Sequence, residues 1–281
     1  MRVKGSGVRL GIVTDSHLCP AGTPPGLWHN PLHYDRAEAL LDRAVRFLKD
    51  REVDAVAMLG DLTNFGDEAS IARAVAVLAT AGVPVLVVPG NHDSEPGAAA
   101  FCAHVDRLGA PDVAMAGGNR DLAGQSMVGL TELTPDNDGL LVIGDVESDG
   151  WGDSPIVLLT HFPLLDRSAE TLAAGLKYAG GFRDGGVARR LVERPAPAIV
   201  LHGHLHIRDT TSERNLLQIG CAALIEPPHE ATVVEIEARD GGCRVAVEHV
   251  SLAPSDVARL PVMAAAWGDW VFDGEAWASS L

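Results

Sequence analysis

Five short apolar runs, at residues 8–14, 53–59, 83–88, 156–160 and 198–201, each end abruptly in polar, metal-ligating residue types. The runs are four to seven residues long and rich in Val, Ile and Leu, which suits strands buried on both faces better than half-exposed ones. In order, they lead into Asp15-Ser16-His17, Gly60-Asp61-Leu62-Thr63-Asn64, Gly90-Asn91-His92-Asp93, His161-Phe162-Pro163 and Gly203-His204-Leu205-His206. Glycine lets a chain turn sharply after a strand. In open α/β sheets the C-terminal strand edge is where ligands bind. A chain of this pattern must gather those five ends.

Between the first runs lie helical periodicities. Ala37, Leu41, Ala44 and Leu48 share one helix face, as do Ile71, Val75 and Leu78, with Gly82 as a stop. Ser94-Glu95-Pro96 reads as a helix start and Gly109 as its end. The pattern weakens over 110–150, apart from a strand-like run at 140–143, and again over 164–183, before a short helix near 186–192. Beyond residue 206 the helices cease. Residues 216–224, 231–236 and 244–250 read as an antiparallel meander. Strand–helix alternation followed by strands alone predicts two sheets covered by helices, with one domain over 1–250. The tail, 251–281, concentrates Trp267, Trp270, Phe272 and Trp277 and is expected to pack on the domain or at a homodimer contact.

Composition excludes several functions. A net charge of −16 argues against a partner that is a nucleic-acid polymer or an anionic membrane. No 18-residue apolar run is present, so no membrane span is expected. Cys19, Cys102, Cys221 and Cys243 are scattered without a Cys-x-x-Cys pair, which fits a reducing compartment. With no secretory h-region before the first strand, the expectation is a cytoplasmic protein.

The ligand types at the strand ends are carboxylate, imidazole and amide without thiolate, which suits Mn, Fe, Zn or similar ions. They are too many for one ion and suit two sharing a carboxylate. The ordered motifs Asp15-x-His17, Gly60-Asp61-x-x-Asn64, Gly90-Asn91-His92-Asp93, His161 and Gly203-His204-x-His206 resemble those of the calcineurin-like metallophosphoesterases. The Asn64 variant with a lone downstream His is similar to the class III cyclic-nucleotide phosphodiesterases. The resemblance implies an α/β (α+β) fold, a four-layer αββα sandwich of two mixed sheets flanked by helices. It also implies a dinuclear metal centre, with Asp15, His17 and His206 on one ion, Asn91, His161 and His204 on the other, and Asp61 bridging. The implied reaction is hydrolysis of a phosphodiester in a small substrate, a nucleotide or cyclic nucleotide, by a hydroxide between the ions. A phosphomonoesterase or nucleotidase is the alternative, and a non-catalytic scaffold of the same fold a third. His92 would stabilise charge or protonate the leaving oxygen, Asp93 would orient His92, and Asn64 would lie near the substrate. The loop 19–33, with Trp28, His29 and His33, is a candidate substrate rim. His104, His229 and His249 fit no motif and are expected to be structural, His202, on the strand before the last motif, to be a core residue or a support behind the ligands, and Asp136, Asp138 and Asp145 to serve turns.

Overall fold

The computed structural model describes residues 7–116, 118–122, 125–129, 133–135, 141–143, 155–180, 185–239, 242–253 and 259–280. Its frame is two mixed sheets. The larger runs in the order Trp277–Ser279, Trp267–Phe272, Gly242–Ser251, Glu230–Arg239, Gly7–Val13, Ala55–Leu59, Val85–Val88, Val113–Met115. From Gly7–Val13 to Val113–Met115 neighbours are parallel, whereas Gly7–Val13 pairs antiparallel with Glu230–Arg239. The smaller sheet runs Asp209–Glu213, Leu216–Gly220, Ala198–His202, Ile156–Leu159, Gln125–Gly129, Gly118–Leu122.

The period-two alternation of a strand explains the layers. Val56, Met58, Val85 and Val87 point away from the other sheet, onto helices Ala37–Asp50, Glu68–Leu78 and Ala98–Leu108. Ala55, Ala57, Leu59, Leu86 and Val88 point inward, where Val157, Leu159, Ile199, Leu201, Leu217 and Ile219 meet them from the second sheet. Ile156, Leu158, Val200 and Leu216 face outward onto Val187 and Leu191 of helix Gly185–Glu193. Helix, sheet, sheet and helix make the four-layer αββα sandwich. Among the described residues no helix is long and apolar enough to cross a membrane.

Helix Ala37–Asp50 buries Ala37, Leu41, Ala44 and Leu48 as its periodicity predicts. Helix Glu68–Leu78 starts at an Asp67 cap that accepts from Ser70 N at 2.9 Å and runs into a 3-10 turn, Ala79–Ala81, that Gly82 closes at φ 72°. The third helix begins only at Ala98. Gly97 before it has φ 109°, outside helical space, and the Ser94 amide and hydroxyl fold back on Gly90 O. The segment 90–97 is therefore a compact turn that holds Asn91, His92 and Asp93 in place.

The predicted meander needs correction. Leu216–Gly220 belongs to the other sheet, parallel to Ala198–His202, with Asp209–Glu213 antiparallel on its far side. Asp-Thr-Thr-Ser-Glu is too polar to read as a strand, and it is tolerated because it forms the sheet edge. The antiparallel run is instead Glu230–Arg239, Gly242–Ser251, Trp267–Phe272 and Trp277–Ser279, so the tail aromatics lie in strands of the large sheet itself. Phe272 and Trp277 enter the core between the sheets, and Trp277 Nε1 donates to Asn215 O at 2.9 Å. Trp277→Ala is expected to cost about 3–5 kcal/mol of unfolding free energy, measured by urea denaturation. A loss below about 1 kcal/mol would mean that the tail does not contribute to this core.

Candidate metal centre

All five predicted strand ends converge on one edge of the sandwich, where the two sheets open together. Asp15 (φ 52°), His17 (47°), Asp61 (48°), His204 (66°) and His206 (56°) occupy the left-handed region. Such a conformation costs an L-residue about 1–2 kcal/mol, so it persists only where the surroundings enforce it. Cross-links between the loops do so: Asp15 N donates to Gly60 O at 3.0 Å, His17 N to Asp61 O at 2.9 Å, and Gly203 N to His161 O at 3.1 Å. Two glycines admit close approach. A Cβ on Gly90 would overlap the Asp61 carboxylate, and one on Gly203 would overlap Thr14 Oγ1 and Asp15.

The donor atoms fall into overlapping groups: Asp15, His17 and His206; Asp15, Asp61 and His161; and His17, Asp61 and His92. Within each group the atoms lie inside 4.8 Å of one another. Asp61 Oδ2 is central, 3.6 Å from His17 Nε2 and 3.3 Å from His161 Nε2. Asp15 Oδ1 lies 3.2 Å from His206 Nε2, and Asn91 Oδ1 lies 3.1 Å from His161 Nε2. The His204 ring centroid is 5.0 Å from that of His161.

Each of these histidines has one ring nitrogen tied to an acceptor. His17 Nδ1 meets Asn64 Oδ1 at 3.0 Å, His92 Nδ1 meets Asn64 O at 3.0 Å, and His161 Nδ1 meets Leu59 O at 2.8 Å. His206 Nδ1 meets Glu226 Oε1 at 3.0 Å and His204 Nε2 meets Ala179 O at 2.8 Å. Carbonyl and carboxylate oxygens only accept, so the tied nitrogen carries the proton. The second nitrogen is the one left for a metal or a substrate.

Asn64 is buried beside His17, orienting that ring and bonded to Tyr34 Oη at 3.3 Å. One expectation changes here. Asp93 does not orient His92. Its carboxylate accepts from Leu62 N, Thr63 N, Thr63 Oγ1 and Gly90 N at 2.8–3.1 Å, stapling the second and third loops together. Burial and the negative Asp61 nearby push its pKa up to about 7, against the pull of these donors. Sequence reasoning missed Glu226, which is fully buried and also accepts from Asn30 N at 2.7 Å. No motif surrounds it, so nothing separates it in the sequence from a surface acid.

The electrostatics ask for cations. Burial would raise Asp15, but the His206 charge opposite outweighs it and holds the carboxyl at about 2. Asp61 is likewise held well below the ordinary range, His161 overcoming its burial. Burial would lower both histidines, yet Asp61 lifts His161 to about 9 and Asp15 with Glu226 lifts His206 to about 10. His17 and His204, in contrast, are pushed down to about 4 by burial. Protons on His161 and His206 thus stand where metal charge would stand. His17 Nε2 is buried without a hydrogen-bond partner, a costly state that a coordinated ion would relieve, and Asp15 Oδ1 has within hydrogen-bond distance only the His206 Nε2 contact. The residues fit a dinuclear metal group.

Filling the site must displace those protons. At pH 7 the metal-free chain is expected to release about two protons as two divalent ions bind, and apparent affinity should rise with pH up to about 9–10. Titrating Mn²⁺ into weakly buffered metal-free protein with a pH indicator measures this. Affinity independent of pH between 6 and 9 would contradict it. Raised histidine values also stabilise the metal-free fold fully below pH 6.5, and this contribution is lost as pH climbs through about 9 and 10. Glu226→Gln is expected to weaken metal binding roughly 10–100-fold by loosening His206, while leaving Asp15 and His17 in place. The same titration reads it, and unchanged affinity would assign Glu226 to loop packing alone.

A cavity of about 170 Å³ opens onto this cluster, lined by His17, Asp61, Asn91, His92, His204 and His206 on one side and Leu27, Trp28, Leu32, Tyr34 and Ala179 on the other. Of the rim candidates, Trp28 lines it. His29 Nε2 is bonded to Leu205 O and the His33 ring lies tilted against His229 at 5.0 Å between centroids, and neither lines the cavity. His202 is buried with Nδ1 on Gly203 O, His229 Nδ1 is on Leu224 O, His249 Nδ1 is on Thr232 Oγ1, and His104 sits between Glu68 and Arg107. None of these four lines the cavity. Asp136, Asp138 and Asp145 lie outside the described residues.

The family model described as calcineurin-like phosphoesterase matches residues 8–208. No curated protein matches the chain. Among solved structures, the chain is similar to a dimetal phosphatase from Danio rerio at 15% identity and a TM-score of 0.61, over 88% of this chain and 96% of that one. It is also similar to the purple acid phosphatase PPD1 of yellow lupin (Lupinus luteus) seeds at 13% identity and a TM-score of 0.51, over 92% of this chain and 54% of that one. At these identities the likeness establishes the fold.

Proposed function

Because the chain belongs to the calcineurin-like phosphoesterase family, we propose that it hydrolyses phosphodiesters of small substrates, cyclic nucleotides among them, with a pair of Mn, Fe or Zn ions. Asp15, His17 and His206 would hold one ion, Asn91, His161 and His204 the other, with Asp61 shared. Ions so held would neutralise phosphoryl oxygens and supply a nucleophile from water near neutral pH. The chain's own part is orientation: four fixed imidazoles for the ions, and His92 with Nδ1 committed to Asn64 O so that Nε2 serves the leaving oxygen.

The observation that carries the reading is the Asp61 carboxylate oxygen lying within 3.6 Å of both His17 Nε2 and His161 Nε2, between the two ligand sets. A diester is favoured over a monoester because, among the described residues lining the cavity, there is no Lys or Arg to meet the second charge of a monoester dianion, and the Lys177 ammonium beside it rests on the Trp28 ring. The monoesterase reading is the alternative, since both solved neighbours are named as phosphatases.

Turnover of methyl 4-nitrophenyl phosphate and 4-nitrophenyl phosphate in Mn²⁺ separates these readings. A higher kcat/KM for the diester is expected, and the reverse order would establish the monoesterase. No turnover of either by metal-loaded protein would overturn the hydrolase.

A further inference from the structure

The cavity wall facing the metal cluster has a chemistry of its own. Leu27 is 68% exposed, the most exposed large hydrophobic side chain among the described residues, and it stands at the mouth of this cavity. It is held there by a two-residue hairpin in which Gly26 pairs with Leu32 and Leu27 with Pro31. The loop behind is pinned from within. Asn30 is buried, its amide donates to Glu226 Oε2 at 2.7 Å, and its side chain exchanges hydrogen bonds with the backbone of Arg259.

The polar atoms of Trp28 and Tyr34 on this wall are already bonded within the protein. Trp28 Nε1 donates to Leu205 O at 3.3 Å, and Tyr34 Oη donates to Asn64 Oδ1 at 3.3 Å. The Lys177 ammonium lies 4.9 Å from the Trp28 ring centroid, where the indole face holds it. The surface remaining for a substrate is the carbon of Leu27, Trp28, Leu32 and Tyr34. A hydroxyl-rich group packed there would lose its water hydrogen bonds without replacement. An apolar group would lose none, and the wall is pre-ordered to receive it.

We propose that Leu27, Trp28, Leu32 and Tyr34 form a subsite for the non-leaving ester group of the substrate, selecting aryl groups over methyl-sized and polyhydroxylated ones. The proposal rests on the phosphodiesterase reading and adds the substrate class to it. A nucleobase in this subsite would be held by its face, so purine and pyrimidine substrates would be taken with little discrimination.

The test holds the leaving group constant. Wild-type protein in Mn²⁺ is assayed with phenyl, methyl and glyceryl 4-nitrophenyl phosphates. The expected kcat/KM for the phenyl ester exceeds that for either other ester by about tenfold or more, the scale of apolar-pocket discrimination. In Leu27→Ser and Trp28→Ala the phenyl-to-methyl ratio should fall towards one. Leu27 is so exposed that its replacement leaves the fold intact, and Leu172→Ser, an exposed leucine outside the cavity lining, should keep the wild-type ratio. Equal kcat/KM for the three esters in wild type, or a ratio unmoved in both wall variants, would overturn the subsite while leaving the phosphodiesterase standing. No turnover of any ester would overturn both.

Discussion

Asp61→Ala is expected to reduce phosphodiester turnover by at least about a thousandfold, the largest single effect of any replacement in this chain. Asp61 does three things at once. Its Oδ2 faces His17 Nε2 and His161 Nε2, so it is the ligand both metal positions would share. Its Oδ1 accepts from His92 N at 2.9 Å and so locates the acid–base candidate. Its negative charge, buried and held ionised, offsets the cations around it. Alanine also removes a buried hydrogen-bond acceptor and could unsettle the loop, so Asp61→Asn is the companion variant. Asparagine retains the shape and the acceptor for His92 but not the charge. Both variants are expected to retain fewer than two metals per chain, read by elemental analysis, with kcat/KM lost together with the metal. Wild-type turnover in either variant would remove the shared-carboxylate arrangement from consideration.

The sequence displays this centre clearly for a physical reason. A strand buried on both faces must be apolar throughout, so Asp15, Asp61, Asn91, His161 and His204 contrast sharply with the runs that precede them. The groups that aim the imidazoles leave no such trace. Leu59 O and Ala179 O are backbone atoms that any residue would supply, and Glu226 is an acid in an unmarked loop. Asp93 shows how adjacency misleads: next to His92 in sequence, it turns the other way and ties Leu62 and Thr63 to Gly90. Two sheets covered by helices were legible from the strand–helix alternation and the αββα order from the family resemblance, but the pairing direction was legible from neither. Leu216–Gly220 is buried along its whole length, and nothing in an apolar run of five says whether its neighbour is parallel or antiparallel. Its partner Asp209–Glu213 escaped notice because an edge strand has no need of an apolar face.

His92→Ala is expected to lower turnover by about 10²- to 10⁴-fold, the range of general acid–base catalysis, while both metals stay bound. The geometry distinguishes this histidine from its neighbours. Its Nδ1 proton is committed to Asn64 O, and its ring meets His17 edge-on at 4.8 Å between centroids. It is half-buried at the cavity, where His17 and His161 are sealed inside. With Nδ1–H committed to Asn64 O, a ring in that position would donate through Nε2 to the leaving oxygen only as the doubly protonated imidazolium, returning to the Nδ1–H neutral ring as it does so. Help of that kind matters little for 4-nitrophenoxide, a stable anion, and greatly for a basic alkoxide. The loss in His92→Ala should therefore grow along a series of diesters with increasingly basic leaving groups, steepening the dependence of log kcat on leaving-group pKa. The opposite role is open to measurement in the same samples, because His92 also lies within ligand range of His17 and Asp61. If His92→Ala lost a metal and its rate fell equally for all leaving groups, His92 would be a ligand and the protonation step would belong to water. Full metal content with a steepened leaving-group dependence would place the proton on His92.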